Sequence, residues 1–199
     1  VDNLDERLAA LEGQVTATEG AHLRTLAAQC APRNPIVEIG SYCGKSTAYL
    51  AAGSMDGGHN HIFAIDLWGL SNIEGGWDLS GSAYQLEAMD TLDRVVSELG
   101  FADLVTAVRA TSKHAVRVWS RPIALLHIDA EHTYSGLRTD YEGWSPWIIP
   151  GGILVMHDYR ADFPDLTRYM DEVILTSGLW EGVQVVERML SMRRRSEVK

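Results

Sequence analysis

The stretch Ile36-Val37-Glu38-Ile39-Gly40-Ser41-Tyr42-Cys43-Gly44-Lys45-Ser46-Thr47 reads as a strand, a turn flanked by glycines and the start of a helix. Ile36 to Ile39 is short, apolar and β-branched, the glycines let backbone approach a ligand closely, and Lys45 to Ala52 opens a helical pattern. A second apolar run ends in Asp66, 26 positions after Gly40. An acid at the tip of the next strand suits the two hydroxyls of a ribose, so the unit predicts a nucleotide-type cofactor.

The spacing Glu-x-Gly-x-x-x-Gly separates three cofactors. A dinucleotide turn wants Gly-x-Gly-x-x-Gly, and Tyr42 would put a bulky side chain where the pyrophosphate needs bare backbone. A P-loop wants four residues between its glycines before Lys-Ser/Thr, and Gly40 and Gly44 enclose three. The missing residue removes a backbone N–H from a phosphate cradle, and Glu38 would face the phosphates with like charge. S-adenosylmethionine carries no phosphate. Its carboxylate, ammonium and ribose can be served by backbone groups, by Glu38 and by Asp66.

Outward from this loop the chain alternates helix and strand. Leu4, Leu8, Leu11 and Val15 recur at helical spacing, and Thr16-x-x-Glu19 is a capping box opening a helix toward Cys30. The pattern then predicts strands at 61–66, 104–108, 124–129 and 153–156, and helices at 83–99, 112–119 and 135–147. Pro150-Gly151-Gly152 reads as a turn, and a helix over 166–177 precedes two short strands at 183–186 and 189–192. The expected fold is α/β: a doubly wound, Rossmann-like, mostly parallel seven-stranded sheet, helices on both faces, with a C-terminal antiparallel hairpin. One domain over 1–199 is expected, with N-terminal helices in 1–33 and a segment at 67–81 that reads either as a lid and substrate wall or as a plain loop.

Composition agrees. A chain of 199 residues with 46% hydrophobic content can bury roughly 70% of its unfolded surface in one core. A formal charge of −10 without a basic stripe argues against nucleic acid as a partner, and Arg193-Arg194-Arg195 reads as a solvated tail. The absence of a long apolar run or of a leader pattern at Val1 to Arg7 gives the expectation of a cytoplasmic protein with no membrane partner. Two cysteines make no disulfide framework, and an apolar face on the first helix would suit a homodimer.

The motif VEIGSYCGKST resembles the first motif of class I methyltransferases, above all the catechol and caffeoyl-CoA type of small O-methyltransferase, and the likeness runs from about Thr16 to about Arg193. The resemblance implies S-adenosylmethionine as cofactor, with Glu38, Gly40, Tyr42, Gly44 and Ser46 near its methionyl end. It further implies Asp66 and Leu67 at the ribose, and Thr111 and Ser112 near adenine. A Thr-Ser pair opening a helix is also an ordinary N-cap.

Two further runs carry the chemistry. Leu125-Leu126-His127-Ile128-Asp129 delivers an acid to the sheet edge that holds Gly40 and Asp66, and His132 follows three residues on. In the catechol-type enzymes the Asp at this position binds a divalent metal and a basic residue three later takes the substrate's proton. His132 in that place is similar to the macrolide-sugar O-methyltransferases, and an imidazole titrating near neutrality suits the task. Gly152-Ile153-Leu154-Val155-Met156-His157-Asp158 brings a second acid to the neighbouring strand tip. Two converging acids favour a cation between them. The family pair here is Asp-Asn or Glu-Asp; His157-Asp158 departs from it, so the expected ligands are Asp129 and Asp158, with His157 a third only for an ion softer than Mg²⁺, such as Mn²⁺, Fe²⁺ or Zn²⁺.

These residues lead to the expectation of a methyltransferase acting on a hydroxyl of a small natural-product metabolite, a sugar or a phenol, with His132 and Asp129 catalytic. The competing expectations are a metal-independent enzyme acting on a carboxylate or amine, and a cofactor-binding protein without catalysis. Trp68 and Trp77 are placed as lid aromatics, and Arg160, Phe163 and Tyr169 as an opposite wall.

Overall fold

The computed structural model describes residues 3–69, 83–160 and 162–196. Its strands are β1 Ile36–Ile39, β2 Ile62–Asp66, β3 Val105–Arg109, β4 Ile123–Ile128, β5 Ile148–Met156, β6 Trp180–Val186 and β7 Met189–Arg194. They form one sheet ordered β3-β2-β1-β4-β5-β7-β6, parallel from β3 to β5, with β7 antiparallel to both β5 and β6. The helices are α1 Leu4–Ala9, α2 Ala17–Ala28, α3 Lys45–Asp56, α4 Ala83–Glu98, α5 Ser112–Arg117, α6 Tyr134–Trp144 and α7 Pro164–Tyr169. This is the expected Rossmann-like sheet with a C-terminal hairpin.

The period-2 alternation of the strands divides the core in two. Ile36, Leu125 and Ile153 pack with α2, α3 and α4, while Val37, Ile39, Leu126 and Leu154 pack with α5, α6 and α7. Helix α3 is buried along most of its length, with α2 laid over it. A Cβ on Gly53 would stand 2.1 Å from the Arg24 carbonyl oxygen, so that helix contact requires glycine. The strand order reverses between β1 and β4, and both tips open at the carboxyl edge where such sheets bind ligands.

Several expected boundaries change. Pro150-Gly151-Gly152 is not a turn ahead of a short strand: β5 already pairs at Ile148 with Ile123, and a register shift between Ile123 and Leu125 absorbs the proline and glycines. The first helix stops at Ala9, and Val15 reaches the core from the following bend. The expected helix over 166–177 is α7 continued by a π-helical turn at Met170–Ile174. Arg193-Arg194 is no solvated tail. Both residues lie in β7, and Arg194 donates from one guanidinium nitrogen to the carbonyls of Ser145, Pro146 and Ile148 around the 3₁₀ turn after α6. Of the segment 67–81, only Leu67 to Gly69 falls within the described residues, and Trp77 lies outside them. Among the described residues no helix is long and apolar enough to cross a membrane.

Candidate active site

The tips of β2, β1, β4 and β5 stand side by side and carry Asp66, Gly40, Asp129 and Asp158 in that order. At the first pair the backbone sets the geometry. The Gly40 N–H donates to Ile65 and the Asp129 N–H to Ile39, which extends the sheet ladder one step past the strands. Gly40 has φ +87°, and a Cβ there would stand 1.9 Å from the Asp129 carbonyl oxygen. No other residue type fits that position without moving β4. Tyr42 also has positive φ, +45°, and Gly44, at +86°, is the N-cap residue of α3.

Asp66 ties the loop down. Its Oδ2 accepts from the N–H groups of Ser41 and Tyr42 at 2.9 Å each, and Oδ1 accepts from Trp68 N–H at 3.1 Å. Burial pushes its carboxyl above the usual range, and the N–H groups of Trp68, Ser41 and Leu67 pull the other way. Leu67 is half-buried, and its carbonyl accepts from Arg109 at 3.4 Å. Trp68 is not a lid aromatic. It is fully buried, and its Nε1–H donates to the Tyr42 carbonyl at 2.9 Å, so it braces the loop from within.

Glu38 is enclosed beneath the same loop. It has no exposed surface, its Oε2 accepts from the Thr47 hydroxyl on α3, and its Oε1 lies 3.2 Å from Nδ1 of the buried His127, its register partner on β4. Ser46 is also buried, in the first turn of α3. Both support the loop from behind; the partly exposed residues at this corner are Gly40, Tyr42 and Asp66, with Ser41 buried between them. Burial raises the Cys43 thiol to about 11, in keeping with a neutral packing role.

At the second pair, side-chain charge sets the geometry. His132 Nε2 lies 2.8 Å from Asp158 Oδ2 and 3.9 Å from Asp129 Oδ1, and its ring stacks on Phe163 with centroids 4.2 Å apart. Arg188, in the β6–β7 turn, donates to Asp158 Oδ1 at 3.1 Å. Asp158 itself is held at φ +57°, uncommon for a residue with a side chain. Asp129, His132 and Asp158 each offer a ligand atom within 4.8 Å of the others, so His132 rather than His157 completes the group of three that could hold an ion.

His157 is turned inward. Its Nε2 lies 3.3 Å from Glu19 Oε2, and its Nδ1 lies 3.4 Å from both Asp129 and Asp158, an ion-pair approach rather than a directed hydrogen bond. Burial alone would lower the imidazole's pKa; Asp129, Asp158 and Glu19 outweigh it and raise it to about 11. In the partner carboxyls burial acts upward and is likewise overcome. His157 and the Thr16 N–H bring Glu19 down to about 2, and His132 with His157 hold Asp158 well below the carboxylate range. An imidazolium has no lone pair to offer a metal.

The remaining expected residues have structural partners. Thr111 caps α5, accepting from the His114 N–H at 3.0 Å, and the Ser112 hydroxyl accepts from Trp144 Nε1 at 2.9 Å. Tyr169 is buried beside Tyr134 and Tyr141 and forms no open wall, whereas Phe163 does reach His132. The Arg160 guanidinium lies over the Tyr159 ring. Glu19, Arg188 and the bracing role of Trp68 were not legible as site features: Glu19 carried only its capping-box signal, and Arg188 had no local signal.

The carboxyl edge of the sheet thus carries a glycine turn tied down by Asp66 at one end and a His-carboxylate cluster at the other. Residues 37–159, more than half of the chain, match the family model described as Methyltransferase domain. The chain belongs to this family and is a S-adenosylmethionine-dependent methyltransferase. Among solved structures it is similar to the O-methyltransferase NovP, with TM-score 0.71 and 13% identity over 91% of this chain and 81% of that one. It is also similar to TomG from Streptomyces achromogenes, an O-methyltransferase involved in tomaymycin synthesis and solved with SAM; the TM-score is 0.66, with 18% identity over 98% and 91%. An O-methyltransferase from Bacillus cereus in complex with SAH gives 0.66 and 15% over 98% and 92%. At these identities the likeness is one of fold.

Proposed function

We propose that the protein transfers the methyl group of S-adenosylmethionine to a hydroxyl of a small natural-product metabolite, a sugar or a phenol, with His132 as general base. The observation that carries this reading is the 2.8 Å contact between His132 Nε2 and Asp158 Oδ2 beside the cofactor loop. An ionised carboxylate only accepts, so it keeps the proton on Nε2 and leaves the lone pair on Nδ1. The acceptor oxygen attacks the methyl carbon as the carbon–sulfur bond breaks, and its proton passes to Nδ1. The products are a methyl ether, S-adenosylhomocysteine and an imidazolium stabilised by Asp158. The sulfonium methyl is already activated, so in-line placement of the oxygen does most of the work, and the base adds roughly 10²–10⁴-fold. Phe163 stacked on His132 fixes the ring plane and offers an apolar surface to the acceptor.

A divalent ion is the second feature of the proposal. Two carboxylates and an imidazole suit Mn²⁺, Fe²⁺ or Zn²⁺ better than Mg²⁺, and Asp129, Asp158 and His132 would hold it. When bound, it would supply positive charge for the deprotonated hydroxyl. Ion and base compete for His132 Nε2, since coordination there displaces the contact with Asp158.

The test is His132→Ala. The expected result is cofactor affinity near that of the parent and turnover reduced by roughly 10²–10⁴-fold. A carboxylate acceptor needs no base, so parental turnover in the variant sinks the hydroxyl-and-base reading. A chelator arm separates the roles: retained activity leaves His132 as base, and loss restored by Mn²⁺ makes it a ligand.

A further inference from the structure

We infer that Glu19, on the N-terminal helix α2, is a positioning residue of the catalytic corner, acting through His157 and Arg188 on Asp129 and Asp158. This rests on the reading of His132 and Asp158 given above.

A capping box asks one thing of its acid, which is to accept from the N-cap N–H, and Glu19 does so from Thr16 at 2.9 Å. The side chain of a first-turn acid is ordinarily solvated. Glu19 has no exposed surface, and its carboxylate takes two more partners from distant parts of the chain. His157 Nε2 lies 3.3 Å from Oε2, and the Arg188 N–H donates to Oε1 at 3.1 Å. Each partner leads to the active corner. From His157, Nδ1 stands 3.4 Å from one oxygen each of Asp129 and Asp158. From Arg188, the guanidinium donates to Asp158 Oδ1 at 3.1 Å, and the carbonyl accepts from the Tyr159 N–H at 2.8 Å.

The same turn is pinned to α2 a second time, by the Thr16 hydroxyl donating to Glu187 Oε2 at 2.7 Å. Asp158, in its positive-φ conformation, is therefore clamped on both sides by groups that converge on Glu19. Strained backbone of this kind persists only where its surroundings over-determine it. Because Glu19 can only accept, it holds a proton on Nε2 of His157 and turns Nδ1 toward the two aspartates, which also only accept and so hold a proton there. A glutamine with its oxygen at the Oε2 position still accepts from Thr16 and His157 but turns its NH₂ on the Arg188 N–H, and the flipped amide turns its NH₂ on both Thr16 and His157 instead. The clamp on Asp158 would loosen, and with it the orientation of His132.

Glu19→Gln is the experiment, with kinetics and proton NMR read together. The expected result is a kcat reduced on the order of 10–100-fold, the cost of slight misplacement of reacting groups, with cofactor affinity and the KM for cofactor within twofold of the parent. The parent should show a slowly exchanging, downfield ring N–H proton of His157, assigned by its absence in His157→Gln, and that resonance should move upfield or vanish in Glu19→Gln. Arg188→Ala, which removes the other arm from a half-exposed side chain, should lower kcat less. Three results would overturn the inference: a parent without the protected ring proton, a Glu19→Gln variant with parental kcat, or a kcat loss matched by equal loss of cofactor affinity, which marks a merely structural acid. The ring proton is observed without turnover, so its outcome is independent of whether His132→Ala supports the base.

Discussion

The two corners of the site are built from different materials. At the β1–β2 corner, backbone does the work: Asp66 gathers three main-chain N–H groups, Gly40 lets two strand tips touch, and Trp68 fills the space beneath. At the β4–β5 corner, ionisable side chains from α2, the loops after β4 and β5 and the β6–β7 turn hold one another. On the proposed function the difference follows from two tasks. A cofactor of fixed shape would be held by a rigid mould, while proton transfer would need groups whose charge and hydrogen bonding are tuned. Damage to the first corner should therefore appear as lost binding, and damage to the second as lost turnover.

His132→Ala is the sharpest probe of that division, with its effect confined to turnover. Next in size is Gly40→Ala on the other side. An added Cβ at φ +87°, 1.9 Å from the Asp129 carbonyl, combines backbone strain with overpacking, together about 3 kcal/mol. Thermal unfolding should show a large drop, and cofactor binding by calorimetry should be lost. If Gly40→Ala bound cofactor normally and lost only turnover, the two corners would not be separate in the way described.

The same contrast explains what could be read from the sequence. The loop from Ile36 to Thr47 is a local device, with spacing, glycines and strand pattern all within one run, so its class and the sheet around it were legible. Asp129, His132 and Asp158 were legible as strand-tip residues, and the structure brings them together. The inward turn of His157 was not, because Glu19 lies 138 residues away and its one local signal is a helix cap. Glu38 followed the same logic in reverse: an acid in the motif reads as facing a ligand, and only the packing of α3 and β4 shows it bonded to Thr47 and beside His127. Trp68 among glycines looked like lid composition, and its burial depends on contacts that no local pattern encodes.

Trp68→Phe gives a smaller and more selective test of the cofactor corner. The ring volume is mostly kept, while the Nε1–H bond to the Tyr42 carbonyl is lost and that part-buried oxygen loses a donor. A cost of about 1–3 kcal/mol is expected, divided between stability and loop order. Cofactor affinity should fall by up to about tenfold, with kcat at saturating cofactor unchanged. A fall in kcat with unchanged affinity would assign Trp68 to the acceptor side instead.

Thr111 offers the smallest effect and a clean choice between two jobs. Its hydroxyl caps α5, accepting from the His114 N–H at 3.0 Å, while resemblance places it near the adenine of the cofactor. Replacing a Thr cap by Ala costs about 1 kcal/mol, which in a chain of this size lowers the melting temperature by about 2–4 °C. If capping is its whole role, Thr111→Ala should show that shift with unaltered cofactor affinity, and Thr111→Asn should recover it, since Asn caps as well or better. If the hydroxyl also meets adenine, cofactor affinity should fall in both variants while only the alanine loses stability. That second pattern would extend the cofactor corner from β1 and β2 to the tip of β3, and would make a side-chain hydroxyl part of a mould otherwise made of backbone.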